Sequence, residues 1–368
     1  MRKNLIFAII FFFLYTITPT SFANISKIKK STTHLTRRRI SKFEINYLPG
    51  QIRFYKNNYI FLSYYSENKV FLYDFNGEKI REFGGKGEGP GEVRELGTFC
   101  TSRDKIYIND WNGEIEVFDI NTTKNLKTIK YGKFGDDINV SANGDIYLIF
   151  GEFNRRTLSR KEYVAKLFEK KNKYQIKKIT PGYENEFIKA VISGGKRRVI
   201  FVPFYRQMVY RILNDKIYWG YPDHFKIFKY DNYETSMIIN DEDSKIKYNK
   251  KMLEILKERY LSDSIRKRLN RVKIVPHEYL PEFSTFFLSK EIGFLIVTLY
   301  EINDQKNVEI RNYSIDGKYI CKFSIPKFYM CEISRNTSAT LSKDMFAYIT
   351  ESEGGSIHVI IEKLKMTK

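Results

Sequence analysis

Asp110, Glu152 and Asn154 carry the hard oxygen donors that a divalent cation takes, and a metal held by such a set could activate water for a hydrolase or lyase. Surface solvation accounts for the same three residues equally well. A wider group is better suited to holding a ligand than to transforming one. Tyr64, Asp110, Trp111, Glu152, Arg155, Arg156, His224, Tyr300 and Glu301 mix aromatic rings with polar groups, a lining that suits a sugar or the end of a peptide. Other catalytic chemistry is poorly provided for. The four histidines, His34, His224, His277 and His358, share no metal-ligand spacing. No Gly-x-Ser-x-Gly elbow is present for a serine hydrolase. The run REFGGKGEGPGEVREL (81–96) is glycine-rich but lacks the Gly-Lys-Ser/Thr triplet of a phosphate loop, and its glutamates would repel phosphate. The expectation is a binding protein with no cofactor, and a Ca²⁺- or Zn²⁺-dependent enzyme is the alternative.

The elements that would position these residues are strands. Tyr and Phe are abundant, with 27 and 29 copies, and aromatic residues favour β-structure. One pattern recurs along the chain. NYIFLS is followed by NKVFLYDFNGEKIREFG, and DKIYIND by GEIEVFDINTTKNLKTIK. Each is an apolar strand, a polar turn and an alternating strand, then a second turn and another alternating strand. Asn76-Gly77 marks one tight hairpin. The apolar strand returns at 144–151, 215–221, 292–300 and 344–351. Repeats of roughly 40 to 50 residues, each a small antiparallel sheet, are the mark of propeller blades. The fold expected is all-β, a six-bladed β-propeller over 43–368. A spare strand, Phe43–Leu48, would close the ring as the outer strand of the last blade, because a propeller otherwise leaves open edges at its seam. Between blades 4 and 5, residues 245–273 carry Met252, Leu253, Leu256 and Tyr260 at helical spacing and predict a small helical insertion. In this arrangement the candidate ligand residues gather in the loops joining the second and third strands, at one end of the ring.

The glycine-rich run then has a physical purpose. The chain must cross from the outermost strand of the first blade to the innermost strand of the second, over neighbouring backbone. Glycine permits positive φ and close approach there, and Pro90 fixes one φ between the glycines. At FGGKGEGPGEV (83–93), and again at 202–231 and 275–297, the chain resembles bacterial exported six-bladed β-propellers of the NHL-repeat and TolB-like group. The resemblance covers roughly residues 43 to 366 and implies a fold and export. That family has no single activity, so it supplies no catalytic residue. Some six-bladed propellers are lactonases or lyases, which is where the metal alternative at Asp110, Glu152 and Asn154 belongs.

Location is read from the N-terminus. Arg2 and Lys3 precede an apolar run, Leu5–Leu14, and Ser21-Phe22-Ala23 offers a small-x-small cleavage site. Residues 1–23 are expected to be a cleaved signal peptide, residues 24–42 a basic flexible lead-in, and the protein periplasmic or secreted. An uncleaved anchor is the alternative. The formal charge is +20, and Lys far exceeds Arg. In an exported protein this reads as a solvated lysine surface, and nucleic acid is disfavoured as a partner. Lys245–Lys273 is the most basic stretch, suited to an acidic partner or an anionic membrane surface if it is not simply a decoration of the ring. Cys100, Cys321 and Cys331 are odd in number, so at most one bridge forms within the chain; Cys321–Cys331 and three separate thiols are both open. The favoured partner is a protein, peptide or glycan.

Overall fold

The computed structural model of the chain describes residues 34–56, 58–133, 135–154, 159–185, 188–193, 196–201, 207–241, 273–274, 282–298, 307–328, 338–352 and 354–367. Every regular element among them is a strand. Strand β1 (His34–Ile45) precedes the first blade, which consists of β2 (Gln51–Tyr55), β3 (Tyr59–Tyr64), β4 (Lys69–Asp74) and β5 (Lys79–Gly84). Blade 2 holds β6 (Leu96–Ser102), β7 (Lys105–Asp110), β8 (Glu114–Asp119) and β9 (Asn125–Lys130). Blade 3 holds β10 (Gly135–Val140), β11 (Ile146–Asn154), β12 (Ser159–Lys170) and β13 (Lys173–Lys178), with a short β14 (Tyr183–Asn185) also on β12. A separate small sheet follows, made of β15 (Ile188–Ser193), β16 (Lys196–Phe201) and the later β21 (Lys273–Ile274). Blade 4 holds β17 (Val209–Leu213), β18 (Lys216–Tyr221), β19 (Lys226–Asp231) and β20 (Glu234–Asn240). Blade 5 holds β22 (Thr285–Ser289), β23 (Gly293–Val297), β24 (Asn307–Tyr313) and β25 (Tyr319–Pro326). Blade 6 holds β26 (Ala339–Ser342), β27 (Met345–Glu351) and β28 (Ile357–Thr367), and β1 is its fourth strand.

The expected ring closure is present. β1 pairs antiparallel with β28 from His34 opposite Thr367 to Ile45 opposite Ile357, so the two ends of the chain share one blade. The strand begins at His34 rather than at Phe43, so part of the stretch read as a flexible lead-in is sheet. Its arginines, Arg37–Arg39, lie on the outer edge, where one face meets water and charge is tolerated; Arg37 pairs with Glu362 at 3.3 Å. The first strands of the six blades each meet the next around the centre, and the last meets the first. The sheet of β15, β16 and β21 was not legible as a separate unit. The helical insertion lies outside the described residues, apart from Lys273, which begins β21.

Burial explains the strand patterns. The second strand of each blade is covered on both faces by the neighbouring blades, so it is a nearly continuous apolar run: Ile60, Phe61 and Leu62 in β3 and Phe294, Leu295, Ile296 and Val297 in β23 are all buried. Outer strands such as β13 alternate and are mostly exposed. Among the described residues the core is therefore six separate clusters, one in each gap between blades. Polar ties cross the gaps near the axis. Gln51 Oε1 accepts from the Phe99 amide at 3.0 Å, and Thr98 Oγ1 accepts from the Ile138 amide at 3.1 Å. These two acceptors occupy the same register position, opposite Ser63 and Asn109.

At the axis three charged side chains meet. Asp137 on blade 3 is fully buried and lies 3.7 Å from Arg53 on blade 1 and 3.6 Å from Arg211 on blade 4. Arg211 also donates to Thr285 Oγ1 on blade 5, at 3.2 Å. Burial pulls the Arg211 guanidinium down to about 10, with Asp137 opposing, so it stays charged at neutral pH. Side chains from blades that are not neighbours thus occupy the waist of the ring.

Candidate functional site: the loop face of blades 1 to 3

Among the described residues, the loops joining the second and third strands of blades 1, 2 and 4 fall at one end of the ring. That end is built around the glycine-rich run. Gly84 and Gly91 have positive φ, 80° and 82°, which the left-handed region reserves largely for glycine. A Cβ at Gly84 would sit 2.9 Å from the Asn68 carbonyl oxygen, and one at Gly91 would sit 3.1 Å from Asn125 Cβ. The run crosses close above blade 2, and buried Glu116 Oε2 accepts from the Gly91 amide (3.0 Å), Asn125 Nδ2 (2.7 Å) and Thr128 Oγ1 (2.9 Å). Asn68 closes the other side, donating to the Arg94 carbonyl at 3.1 Å and accepting from the Leu96 amide at 2.9 Å.

Asp110 belongs to the same scaffold. It is only 2% exposed. Its Oδ2 accepts from the amides of Arg94 (2.8 Å) and Glu95 (3.3 Å), and its Oδ1 from the amide (2.5 Å) and side chain (2.8 Å) of Asn112. A carboxylate so engaged holds the loop. Glu152 is exposed and hydrogen-bonded to Lys178 at 2.5 Å, which holds its carboxyl below the usual range. Asn154 is exposed at the end of β11. Among the described residues no group of three or more His, Cys, Asp and Glu side chains is placed to hold a metal ion.

The remaining candidates separate clearly. Tyr64 is 4% exposed, packed against Phe71 at 5.3 Å between ring centroids, and burial pushes its hydroxyl up. Strand alternation is the reason: Tyr64 points into the gap between blades 6 and 1, and Tyr65, the next residue, emerges. Trp111 emerges in the same way after Asp110. His224 is exposed in the turn after β18, where its amide donates to the Tyr221 carbonyl at 3.1 Å. Arg155, Arg156, Tyr300 and Glu301 lie outside the described residues.

Tyr65 and Trp111 occupy equivalent places. Each follows the second strand of its blade, and each ring lies against a glycine just before the register position of Gln51 or Thr98. A Cβ at Gly50 would fall 2.1 Å from Tyr65 Cε2, and one at Gly97 would fall 2.2 Å from Trp111 Cδ1. The rings are 45% and 43% exposed. Tyr47 and Phe153 are also exposed at this end. Sequence reasoning chose Tyr64 and missed Tyr65, although the matched pairs Gly50/Tyr65 and Gly97/Trp111 were there to be seen.

Beside Tyr64 a cleft of about 350 Å³ opens in the gap between β1 and blade 1. Its lining includes Glu44, Tyr47, Tyr64, Glu67, Tyr73 and Lys79. Lys79 Nζ lies 4.8 Å from the Phe71 ring centroid and 3.6 Å from Glu82, a carboxylate that also pairs with Lys69 at 2.8 Å.

The sequence matches no protein-family model and no curated protein. Solved structures do match. A Bacteroides fragilis protein that is described as exported aligns over 92% of this chain and 97% of its own, with 13% identity and a TM-score of 0.53. The β-propeller domain of Cps50 (Swd1) from Myceliophteria thermophila aligns over 90% of this chain and all of its own, with 8% identity and a TM-score of 0.47. At 13% identity the likeness to the B. fragilis protein speaks to the fold alone.

Proposed function

We propose that this chain is an exported six-bladed propeller of the NHL-repeat and TolB-like kind, working as a binding module for a protein, peptide or glycan, and that it carries no reaction of its own. The observation that carries the reading is the pair of glycine-backed exposed rings, Tyr65 and Trp111, repeated on adjacent blades at one end of the ring. Large rings held in one orientation supply contact area at little entropic cost, which is why binding surfaces favour them. The carboxylate best placed to join a metal site, Asp110, is committed to backbone amides instead. Export is supported by the charged start, apolar run and small-residue site of residues 1–23, and by the exported description of the B. fragilis neighbour. The test is retention of envelope and extracellular material from the source organism on three immobilised proteins: wild type, Tyr65→Ala/Trp111→Ala, and Tyr233→Ala at the opposite end of the ring. Wild type and Tyr233→Ala should retain the same material and the double variant should not. Equal retention by all three would remove the loop face from the reading.

A further inference from the structure

The waist of the ring is out of electrical balance. Arg53 of blade 1 and Arg211 of blade 4 share one carboxylate, Asp137 of blade 3, so two positive groups meet one negative group and one positive charge is left over. Cys100 and Tyr210, the other titratable groups described beside them, add no charge, because burial pushes the thiol and the hydroxyl up.

The two arginines are served differently. Arg211 donates to the Tyr210 carbonyl at 2.7 Å and to Thr285 Oγ1 at 3.2 Å, and its guanidinium lies 5.8 Å and 6.0 Å from the Phe286 and Phe287 ring centroids. Arg53 has no such setting. Its Nη2 is buried and makes no hydrogen bond, and the ion pair with Asp137, at 3.7 Å, is too long to be one. A guanidinium carries five N–H donors, and burying them without acceptors is costly. The Arg53 side chain nevertheless keeps 14% of its surface in solvent, so it can be reached from outside. The same face of β2 carries a second buried donor with no hydrogen-bond partner, Gln51 Nε2. One small anion answers these needs together. It gives Arg53 an acceptor, cancels the charge left over, and relieves the repulsion between the guanidinium groups. That repulsion is real: burial is the main cause of the depressed Arg211 value, Asp137 opposes it, and the Arg53 charge adds to it. A cation would be repelled, and a divalent anion would overshoot the charge.

We propose that the waist of the ring is a site for one monovalent anion, held by Arg53 with Arg211 adding its charge, and that the bound ion helps to tie blade 1 to blade 4 across the axis. The site lies inside the ring and is independent of the loop face. Chloride and a carboxylate group offer the same chemistry there, and the experiment separates them.

The test is thermal melting of the protein in sodium fluoride, with chloride or acetate exchanged for fluoride at constant ionic strength. Fluoride is the reference because it is the most strongly hydrated of the three. An anion that binds only the folded ring should raise the melting temperature by about 2 °C for each tenfold step above its dissociation constant, in a chain of this size. Arg53→Gln should abolish the rise. Arg37→Gln, at an ion pair on the outer edge, should keep it. A larger rise with chloride assigns a monatomic ion to the site. A larger rise with acetate assigns a carboxylate, which a bound ligand can supply. No rise with either anion, or a rise that survives in Arg53→Gln, would overturn the proposal. If Arg53→Gln does not fold, crystals of the wild-type protein soaked in bromide decide the matter. An anomalous peak beside Arg53 supports the site, and bromide at the outer surface only overturns it.

Discussion

Two halves of the same face treat their aromatic residues in opposite ways. Over blades 1 and 2, Tyr65 and Trp111 lie on glycines and keep nearly half of each residue in water. Over blades 3 and 4 the same places hold no ring. Gly151 stands where Tyr65 and Trp111 would be, and the Arg160 side chain lies across it. Arg160 is itself held 2.7 Å from Asp136 and 3.7 Å from Glu162. On blade 4 that place is held by Pro222, while Tyr221, the counterpart of Tyr64, stacks on Tyr183 at 4.4 Å, and the Tyr183 hydroxyl bonds to Asp223. One half of the face carries a half-exposed ring after each second strand, and the other carries none. The scaffold beneath is alike in both, a buried carboxylate on backbone amides: Asp110 under Arg94 and Glu95, and Glu162 under Met208. The difference therefore lies in which residue follows the second strand.

The comparison can be broken or sharpened by substitution. The largest effect is expected below both halves, at the waist. Asp137→Ala leaves Arg53 and Arg211 facing each other away from water, and should cost about 3–5 kcal/mol of unfolding free energy in urea titration. A loss under about 1 kcal/mol would mean that the axis does not tie the blades together. Next come the paired carboxylates. Asp110→Ala and Glu162→Ala each strip buried amides of an acceptor and should each cost roughly 2–3 kcal/mol. Similar losses would show that the scaffold is common to the two halves; a large gap would break that point.

The rings themselves should separate the halves. Tyr221→Ala removes half of a stacked pair and should cost about 1–2 kcal/mol, whereas Trp111→Ala should cost less than about 1 kcal/mol, because much of its ring is already in water. A reversed order in thermal melting would contradict the assignment of structural and presented rings. The smallest effect is with pH. Glu152 is held below the ordinary carboxylate range by Lys178, so the stabilisation it provides is present above the unfolded-state value, near 4, and is lost as pH falls through the lower folded-state value. Lys178→Ala should flatten that acid limb slightly over blade 3 and leave exchange at blades 1 and 2 unchanged.

Much of the architecture was legible because period-two patterning, the apolar second strands and Asn76-Gly77 all pointed to one answer. The Asp74 carboxylate confirms that turn, accepting from the amides of Asn76 and Glu78. The closing strand was legible from Phe43 onward, where alternate residues, Phe43 and Ile45, are buried, and illegible across Arg37–Arg39, where an outer edge tolerates charge. The site was legible as a set of loops but not residue by residue. Parity decides whether a residue at a strand end enters the gap or leaves it, and one step moved the exposed ring from Tyr64 to Tyr65. Asp110 looked like chemistry because a buried carboxylate holding amides has the same letter as one holding a metal. Of the cysteines, Cys100 and Cys321 carry free thiols, with burial pushing both up, and Cys331 lies outside the described residues.

The most direct test of the loop face over blades 1 and 2 is hydroxyl-radical footprinting of the protein, read by mass spectrometry with and without the material it retains from the source organism. Bound material should protect Tyr47, Tyr65 and Trp111, leave Tyr183 and Tyr221 at their low intrinsic reactivity, and leave Tyr233 and Met237 fully reactive. Protection centred on Tyr233 and Met237, with Tyr65 and Trp111 unchanged, would contradict the account.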